Sequence, residues 1–265
     1  MAFNQKKENI PNTPKKSRET ARSKGKSRSV KDGDFEHDHP MKQATKTEDS
    51  PVDVAYQKIK EMMYHHELVP GQKLLYQELA KKLNMSITPV IQALNRLQLL
   101  KIVYSERNKG YYVGEADPVE AEELFMAREA LEVFLVPTIL EKMTPKKLEA
   151  IEKAMKEHVK AVSFPQYRRL LLIIDTNFHL EMIKCAENKV IYNFCKLIFE
   201  RIYLKYRPEY MREERLKEAA KEHRMLFEAL KSGDVKKTER LIKDHIRSGR
   251  EHIVNSLWED RHITL

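Results

Sequence analysis

Glycine is scarce, with 7 in 265 residues. That argues against folds that cradle phosphates in glycine-rich loops, and in favour of helices. Cysteine is rarer still. Cys185 and Cys195 form neither a disulfide framework nor a Cys-x-x-Cys pair, so a reducing compartment is expected. Long apolar runs are also missing. The longest purely aliphatic stretch is Leu170 to Ile174, far short of the ~20 residues that a membrane span needs. The first residues lack the apolar stretch of a secretory signal. A soluble, cytoplasmic protein with no membrane partner is the expectation.

Charge, by contrast, is plentiful, at 34% of residues with a net of +9. It is unevenly placed. Residues 1–50 hold 12 Lys+Arg against 8 Asp+Glu, residues 51–113 hold 9 against 5, and residues 114–265 hold 28 against 27. A basic N-terminal part beside a nearly neutral C-terminal part suits one half that meets phosphate and another with a different task. The length allows about two domains of ~100–200 residues. Residues 1–50 are rich in Lys, Ser, Thr, Asp and Pro and have almost no periodic apolar residues. Such a segment cannot bury enough surface to order itself, so a disordered basic tail is expected there. It is either an arm that tracks DNA phosphates or a solvated tail with no specific role.

From Pro51 the pattern changes. Val54, Ile59, Met62 and Met63 predict an amphipathic helix ending near Leu68, followed by a turn at Pro70-Gly71. A short helix over 76–83 and a third from about Thr88 to Leu100 follow. Val90, Ala93, Leu94 and Leu97 supply the buried stripe of the third. Ile102 to Ser105, a polar turn over 106–110, and Tyr111 to Val113 then read as strand, turn, strand. Three helices and a hairpin make a winged helix-turn-helix over 51–114. Its third helix is expected in the DNA major groove, with the wing on the backbone. Ile87, Ile91, Asn95 and Gln98 lie beside the buried stripe and should face the groove. The DNA-binding candidates are Ile87, Thr88, Ile91, Asn95 and Arg96 on or beside the third helix, with Arg107, Lys109 and Gly110 in the wing.

Beyond Gly114 no strand signal is present, and residues 115–260 read as about six antiparallel helices. Asp117-Pro118 and Thr144-Pro145 each pair an N-cap with a proline at the first helical position. Gly233 and Asp234 mark the turn between the last two helices, and Pro137 should kink the first. The fold class is therefore mostly α, an N-terminal winged helix-turn-helix plus a C-terminal all-α antiparallel bundle.

Within the bundle, Asp175 and His179 are four residues apart on one helix face. His223 and His245 lie at nearly equal distances on either side of the turn at Gly233-Asp234, so their rings arrive level in an antiparallel hairpin. One carboxylate and three imidazoles can converge on a borderline divalent metal ion such as zinc, nickel or manganese. Any single histidine is more often a surface or satisfied core residue, and His65, His66, His158, His252 and His262 fall in that class. His252 lies seven residues after His245, close to the same face, and competes as a ligand or as a partner to one.

Both halves resemble the GntR regulators, in the FadR-like branch whose C-terminal helical domain is called FCD. The resemblance rests on PGQKLLYQELAKKLNMSITPVIQALNRL in the head, and on MAREALE, IIDTNFH, EHRMLFEAL and DHI in the bundle. Asn188 matches the asparagine that follows the family's Asp-x-x-Phe-His motif. The resemblance implies a ligand-responsive, DNA-binding transcriptional regulator that is a homodimer on a double-stranded operator. It puts the metal ligands of metal-containing members on Asp175, His179, His223 and His245. It also implies a small carboxylate effector, for which Arg128 is the candidate second contact, since a guanidinium fork matches a carboxylate. The chain departs from the family pattern in the head. Two usual arginines are Ile87 and Ile91, the usual glutamate is Gln92, and the glycine after the third helix is Lys101. Isoleucine cannot read guanine or phosphate but can meet a thymine methyl. Phosphate contact then falls to Lys81, Lys82, Arg96, Arg107, Lys109 and the tail.

Two other classes stay in view. Exposed isoleucines suit a degenerate regulator that signals through protein partners. A three-histidine, one-aspartate site can also activate water in a metal-dependent enzyme. No nucleophile or paired general acid and base accompanies it, so no enzymatic activity is expected.

Overall fold

The structure, a computed structural model, describes residues 50–164, 170–206 and 211–263. The expected tail lies outside them except for Ser50. The element order is α1 (Pro51–Tyr64), β1 (Lys73–Leu74), α2 (Tyr76–Leu83), α3 (Ile87–Leu99), β2 (Val103–Glu106) and β3 (Gly110–Val113). The helices α4 (Pro118–Glu141), α5 (Pro145–Val162), α6 (Leu171–Lys184), α7 (Lys189–Lys205), α8 (Glu213–Ser232) and α9 (Val235–Ile263) follow.

Side-chain caps hold these helices at their starts, at Asp117, Thr144 and Asp234 as expected and also at Ser50 and Asn188. Ser50, Asp117, Thr144, Asn188 and Asp234 each accept a hydrogen bond from a backbone N–H in the first turn of the helix that follows. Each such cap contributes about 1 kcal/mol. α1 stops at Tyr64, short of the expected Leu68, because His66 takes a left-handed φ of 57° that no helix continues through. α4 runs as one helix through Pro137. Lys101, where the family pattern has glycine, carries a φ of 54°. The turn after α3 thus demands the left-handed conformation, and a lysine accepts its strain.

The head is three helices and a sheet of order β1-β3-β2. The hairpin pairs antiparallel, Val103 with Val113 and Glu106 with Gly110. Strand β1, which the sequence reading missed, pairs Lys73 with Tyr112 and Leu74 with Tyr111. Val90, Ala93, Leu94 and Leu97 on α3 are all fully buried, as the stripe predicts, against Ala55 and Ile59 of α1 and Ile102 and Val113 near the wing.

Helices α4 to α9 share a second core, in which Phe178, Phe199, Leu135, Ile139 and Ile151 are almost wholly buried. Among the described residues no strand occurs beyond β3. Helix α7 ties this core to the head. Lys60 of α1 is ion-paired with Glu200 of α7, and both side chains are buried. Tyr56 donates its hydroxyl to the same carboxylate at 3.3 Å. Lower on α7, Arg201 and Lys205 pair with Glu120 at the start of α4, and the Tyr206 hydroxyl donates to the Asp117 carbonyl at 3.2 Å. Gly114 sits where the head runs into α4, and an added Cβ would stand 2.8 Å from the Ile102 carbonyl oxygen.

Candidate metal centre and nucleic-acid interface

Asp175, His179, His223 and His245 meet inside the bundle, with one donor atom from each lying within 4.8 Å of all the others. The first two come from α6, as their spacing predicts; α8 brings His223 and α9 brings His245. The Nε2 atoms of His179 and His245 are 3.1 Å apart, and those of His223 and His245 are 3.4 Å apart. His223 Nε2 is also 3.4 Å from Asp175 Oδ1. The three rings are buried, and Phe178 stacks on His223 with ring centres 4.2 Å apart.

Two carboxylates behind the rings orient them. Glu132 of α4 lies 2.8 Å from His179 Nδ1, and Glu222 of α8 lies 2.7 Å from His245 Nδ1. Burial raises the Glu132 carboxyl, but the Arg128 guanidinium and His179 outweigh it and hold it at about 2. Glu222 is likewise lowered, burial being overcome by hydrogen bonds from His245 and Arg215. An ionised carboxylate only accepts, so each Nδ1 carries a proton and each Nε2 is the nitrogen turned inward to the cluster. Burial pushes the imidazoles of His223 and His245 below their ordinary value, which keeps them neutral and able to ligate. Asp175, which burial would raise, is held at about 2 by the imidazoles of His179, His158 and His245. Imidazole nitrogens and one carboxylate facing each other at these spacings fit a divalent cation.

Arg128 is buried and donates from Nε to Glu132 at 2.6 Å, its guanidinium lying 4.5 Å from the Phe199 ring centre. Its Nη2 has no hydrogen-bond partner among the described residues, and neither has Nε of Arg215. Both arginines line a cavity of about 30 Å³ beside Asp175, Thr176 and His245. Such a space holds a water molecule, so a larger guest requires side chains to move.

Sequence reasoning missed Glu132, Arg215, Glu222 and His158. Glu132 and Glu222 stand inside the quoted segments MAREALE and EHRMLFEAL, four positions after Arg128 and next to His223 respectively, but the histidines they orient are far away in the chain. His158, set aside with the ordinary histidines, lies in the centre, its ring 4.5 Å from that of His223. Burial pushes it down to about 4. His252, the competing ligand, instead accepts from the Arg212 backbone N–H at 3.0 Å.

In the head, Ile87 and Thr88 are exposed at the start of α3, Asn95 is exposed about two turns on, and Ile91 is half-buried. Asn95 accepts from the Tyr111 hydroxyl of the wing at 2.6 Å, and Gln98 donates to Ser105 at 2.9 Å. Arg107 and Lys109 are exposed at the hairpin tip, Lys109 pairing with Glu106 at 2.8 Å, and Gly110 has a φ of 104°. Arg96 is set apart from these. It pairs with Asp53 at 2.9 Å and stacks on Tyr56 at 4.1 Å, about half a turn round α3 from Ile87.

A winged helix joined to an all-helical bundle with a buried donor cluster is the architecture of a DNA-binding transcriptional regulator. The model of bacterial regulatory proteins of the gntR family matches residues 51–113, and that of the FCD domain matches residues 123–248. The chain belongs to the GntR family and carries an FCD domain. It is 20% identical over 206 residues to the HTH-type transcriptional regulator YdhC of Bacillus subtilis, covering 78% of this chain and 92% of that one. It is 25% identical over 169 residues to the HTH-type transcriptional regulator McbR of Escherichia coli, covering 63% and 76%. These relatives are regulators and not enzymes. Among solved structures, E. coli McbR/YncC superposes with a TM-score of 0.68 at 22% identity, covering 79% of this chain and 99% of that one. A GntR transcriptional regulator from Rhodococcus sp. RHA1 gives 0.67 at 16% identity, covering 78% and 99%. Both likenesses concern the fold. No helix among the described residues is long and apolar enough to cross a membrane.

Proposed function

We propose that this regulator works in the cytoplasm as a homodimer on a two-fold operator, with residues 51–114 as the DNA-binding head and 115–260 as the effector domain. Its bundle holds a divalent ion through Asp175, His179, His223 and His245, and takes a small carboxylate as effector. The observation that carries this reading is the inward set of Nε2 atoms, two of them backed by a carboxylate on the far ring nitrogen. Imidazole nitrogens with a single carboxylate suit zinc or nickel, with manganese next. When bound, such an ion supplies a Lewis-acidic position for a carboxylate oxygen. Arg128 is the second contact for that carboxylate, with Nη2 free to donate and Nε fixed on Glu132. Arg215, which lines the same cavity, offers a further free donor.

In the head, Ile87, Thr88, Ile91 and Asn95 present a groove-facing stripe with apolar rather than arginine readout. Arg107, Lys109 and Gly110 approach the backbone, and Arg96 braces α3 against α1. The homodimer is supported by two neighbouring helices. Val119, Met126 and Phe134 along one face of α4, and Val190, Phe194 and Leu197 along one face of α7, are exposed. Apolar faces of this kind seek a partner, and a second copy matches the symmetry of an operator. Effector entry between Arg128 and α9 would alter how the two heads are spaced and so weaken or strengthen operator binding.

The test is elemental analysis of purified protein, followed by mobility shift on DNA flanking its own gene with and without small carboxylic acids. A bound divalent ion and an acid-dependent shift are expected. Absence of DNA binding at low salt would favour the reading in which exposed Ile87 serves a protein partner instead.

A further inference from the structure

His158 belongs to none of the roles above, yet it is buried at the centre of them. It stands on α5, whereas the four proposed ligands stand on α6, α8 and α9. Its side chain is 1% exposed. Its Nδ1 has no hydrogen-bond partner among the described residues. Its Nε2 is 3.8 Å from Asp175 Oδ1, beyond hydrogen-bond reach. A buried imidazole with an unmet nitrogen is rare, because leucine or methionine would fill the same space with no polar atom to satisfy. The position of Nε2 is informative. It faces the same carboxylate oxygen that His223 Nε2 approaches at 3.4 Å. The four proposed donors themselves spread over as much as 4.8 Å. Its distance to Asp175 falls within that spread and its ring lies 4.5 Å from that of His223, so an ion held on the Asp175 and His223 side of the cluster would meet its lone pair.

We propose that His158 is a fifth donor to the ion, giving a centre of four imidazoles and one carboxylate. The proposal rests on the metal reading above and deepens it by naming the class of ion. A fourth nitrogen shifts preference toward nickel, zinc and similar imidazole-preferring ions and away from manganese and magnesium, which favour oxygen. Helix α5 is thereby tied to α6, α8 and α9 through one centre, so that loading the ion stiffens the packing of these four helices.

The experiment compares the metal-free full chain with its His158→Gln and His158→Phe variants. Nickel, zinc and manganese affinities are measured by competition with a chelating indicator, and the cobalt-loaded forms are compared by visible absorption. Circular dichroism verifies folding, and the glutamine variant carries the test if phenylalanine does not fit. The expected result is a nickel affinity lower by on the order of 10-fold or more, a manganese affinity little changed, and a cobalt band altered in position and intensity. A nickel-to-manganese ratio and a cobalt spectrum identical to those of the unaltered chain overturn the proposal and leave the four-ligand reading standing. If the unaltered chain binds none of these ions, the metal reading itself fails.

Discussion

Glu132 Oε2 lies 2.8 Å from Nδ1 of His179, and both side chains are fully buried. The pair joins α4 to α6 and fixes which nitrogen of His179 faces the cluster, since the ionised carboxylate leaves Nδ1 as the protonated one. Glu132→Gln keeps the shape and removes the charge. It is expected to lower divalent-ion affinity by about 10–100-fold, read by chelator competition. An unchanged affinity would show that Glu132 serves only as a counter-ion to Arg128.

The metal-free protein should weaken in mild acid. His158 is pushed down to about 4, and His223 and His245 are also lowered, each mainly by burial. Folded, these rings bind protons less readily than in the unfolded chain, whose histidines titrate near 6.5. Stability is therefore complete above about pH 6.5 and falls as the pH drops toward 4, His158 alone being worth roughly 3 kcal/mol. Asp175, held at about 2, acts in the same direction at lower pH. Thermal unfolding should show a midpoint that is flat above neutrality and declines below 6.5. An equal midpoint at pH 7.5 and 4.5 would contradict it.

Lys60 and Glu200 form a buried pair between head and bundle. Glu200→Ala strands the Lys60 ammonium, for which about 3–5 kcal/mol of destabilisation is expected in urea unfolding. The double change Lys60→Met with Glu200→Leu should recover most of that loss. If the single variant unfolds like the unaltered chain, water reaches the pair and the junction is loose.

Salt dependence separates the two kinds of arginine in the head. Arg107→Ala and Lys109→Ala should each flatten the slope of log affinity against log salt by about 1. Arg96→Ala should leave the slope unchanged, since its guanidinium is held by Asp53 and Tyr56. Fluorescence anisotropy on one operator fragment at several salt concentrations measures all three. A slope lowered by the Arg96 change would return that residue to the DNA surface.

Phe134 is 71% exposed on α4 and Phe194 is 57% exposed on α7. Replacing both by glutamate puts like charges on a surface that a second copy is proposed to cover. Sedimentation should then show a monomer where the unaltered chain is a dimer, with the helical circular dichroism kept.

Much of the fold was legible because the signals are local. Pro118 and Pro145 behind their caps, the stripe Val90, Ala93, Leu94 and Leu97, and the turn at Gly233 each act within a few residues of themselves. Strand β1 escaped because two residues carry no period, and its partner Tyr112 lies nearly forty positions on. The end of α1 escaped because nothing near His66 announces a left-handed backbone.

The proposed ligands divide in the same way. Sequence alone determined that Asp175 and His179 share a helix face and that His223 and His245 stand level in a hairpin, because helical rise and rotation are constants of the backbone. Tertiary structure alone decided which face of each helix meets which. Only side-chain packing among α4, α5, α6, α8 and α9 set Glu132 behind His179, Glu222 behind His245, Arg215 and Arg128 on one cavity, and His158 beside Asp175. It likewise turned Arg96 toward Asp53. Helix rotation about its own axis is determined by the sum of buried contacts, and no spacing within one segment encodes that sum.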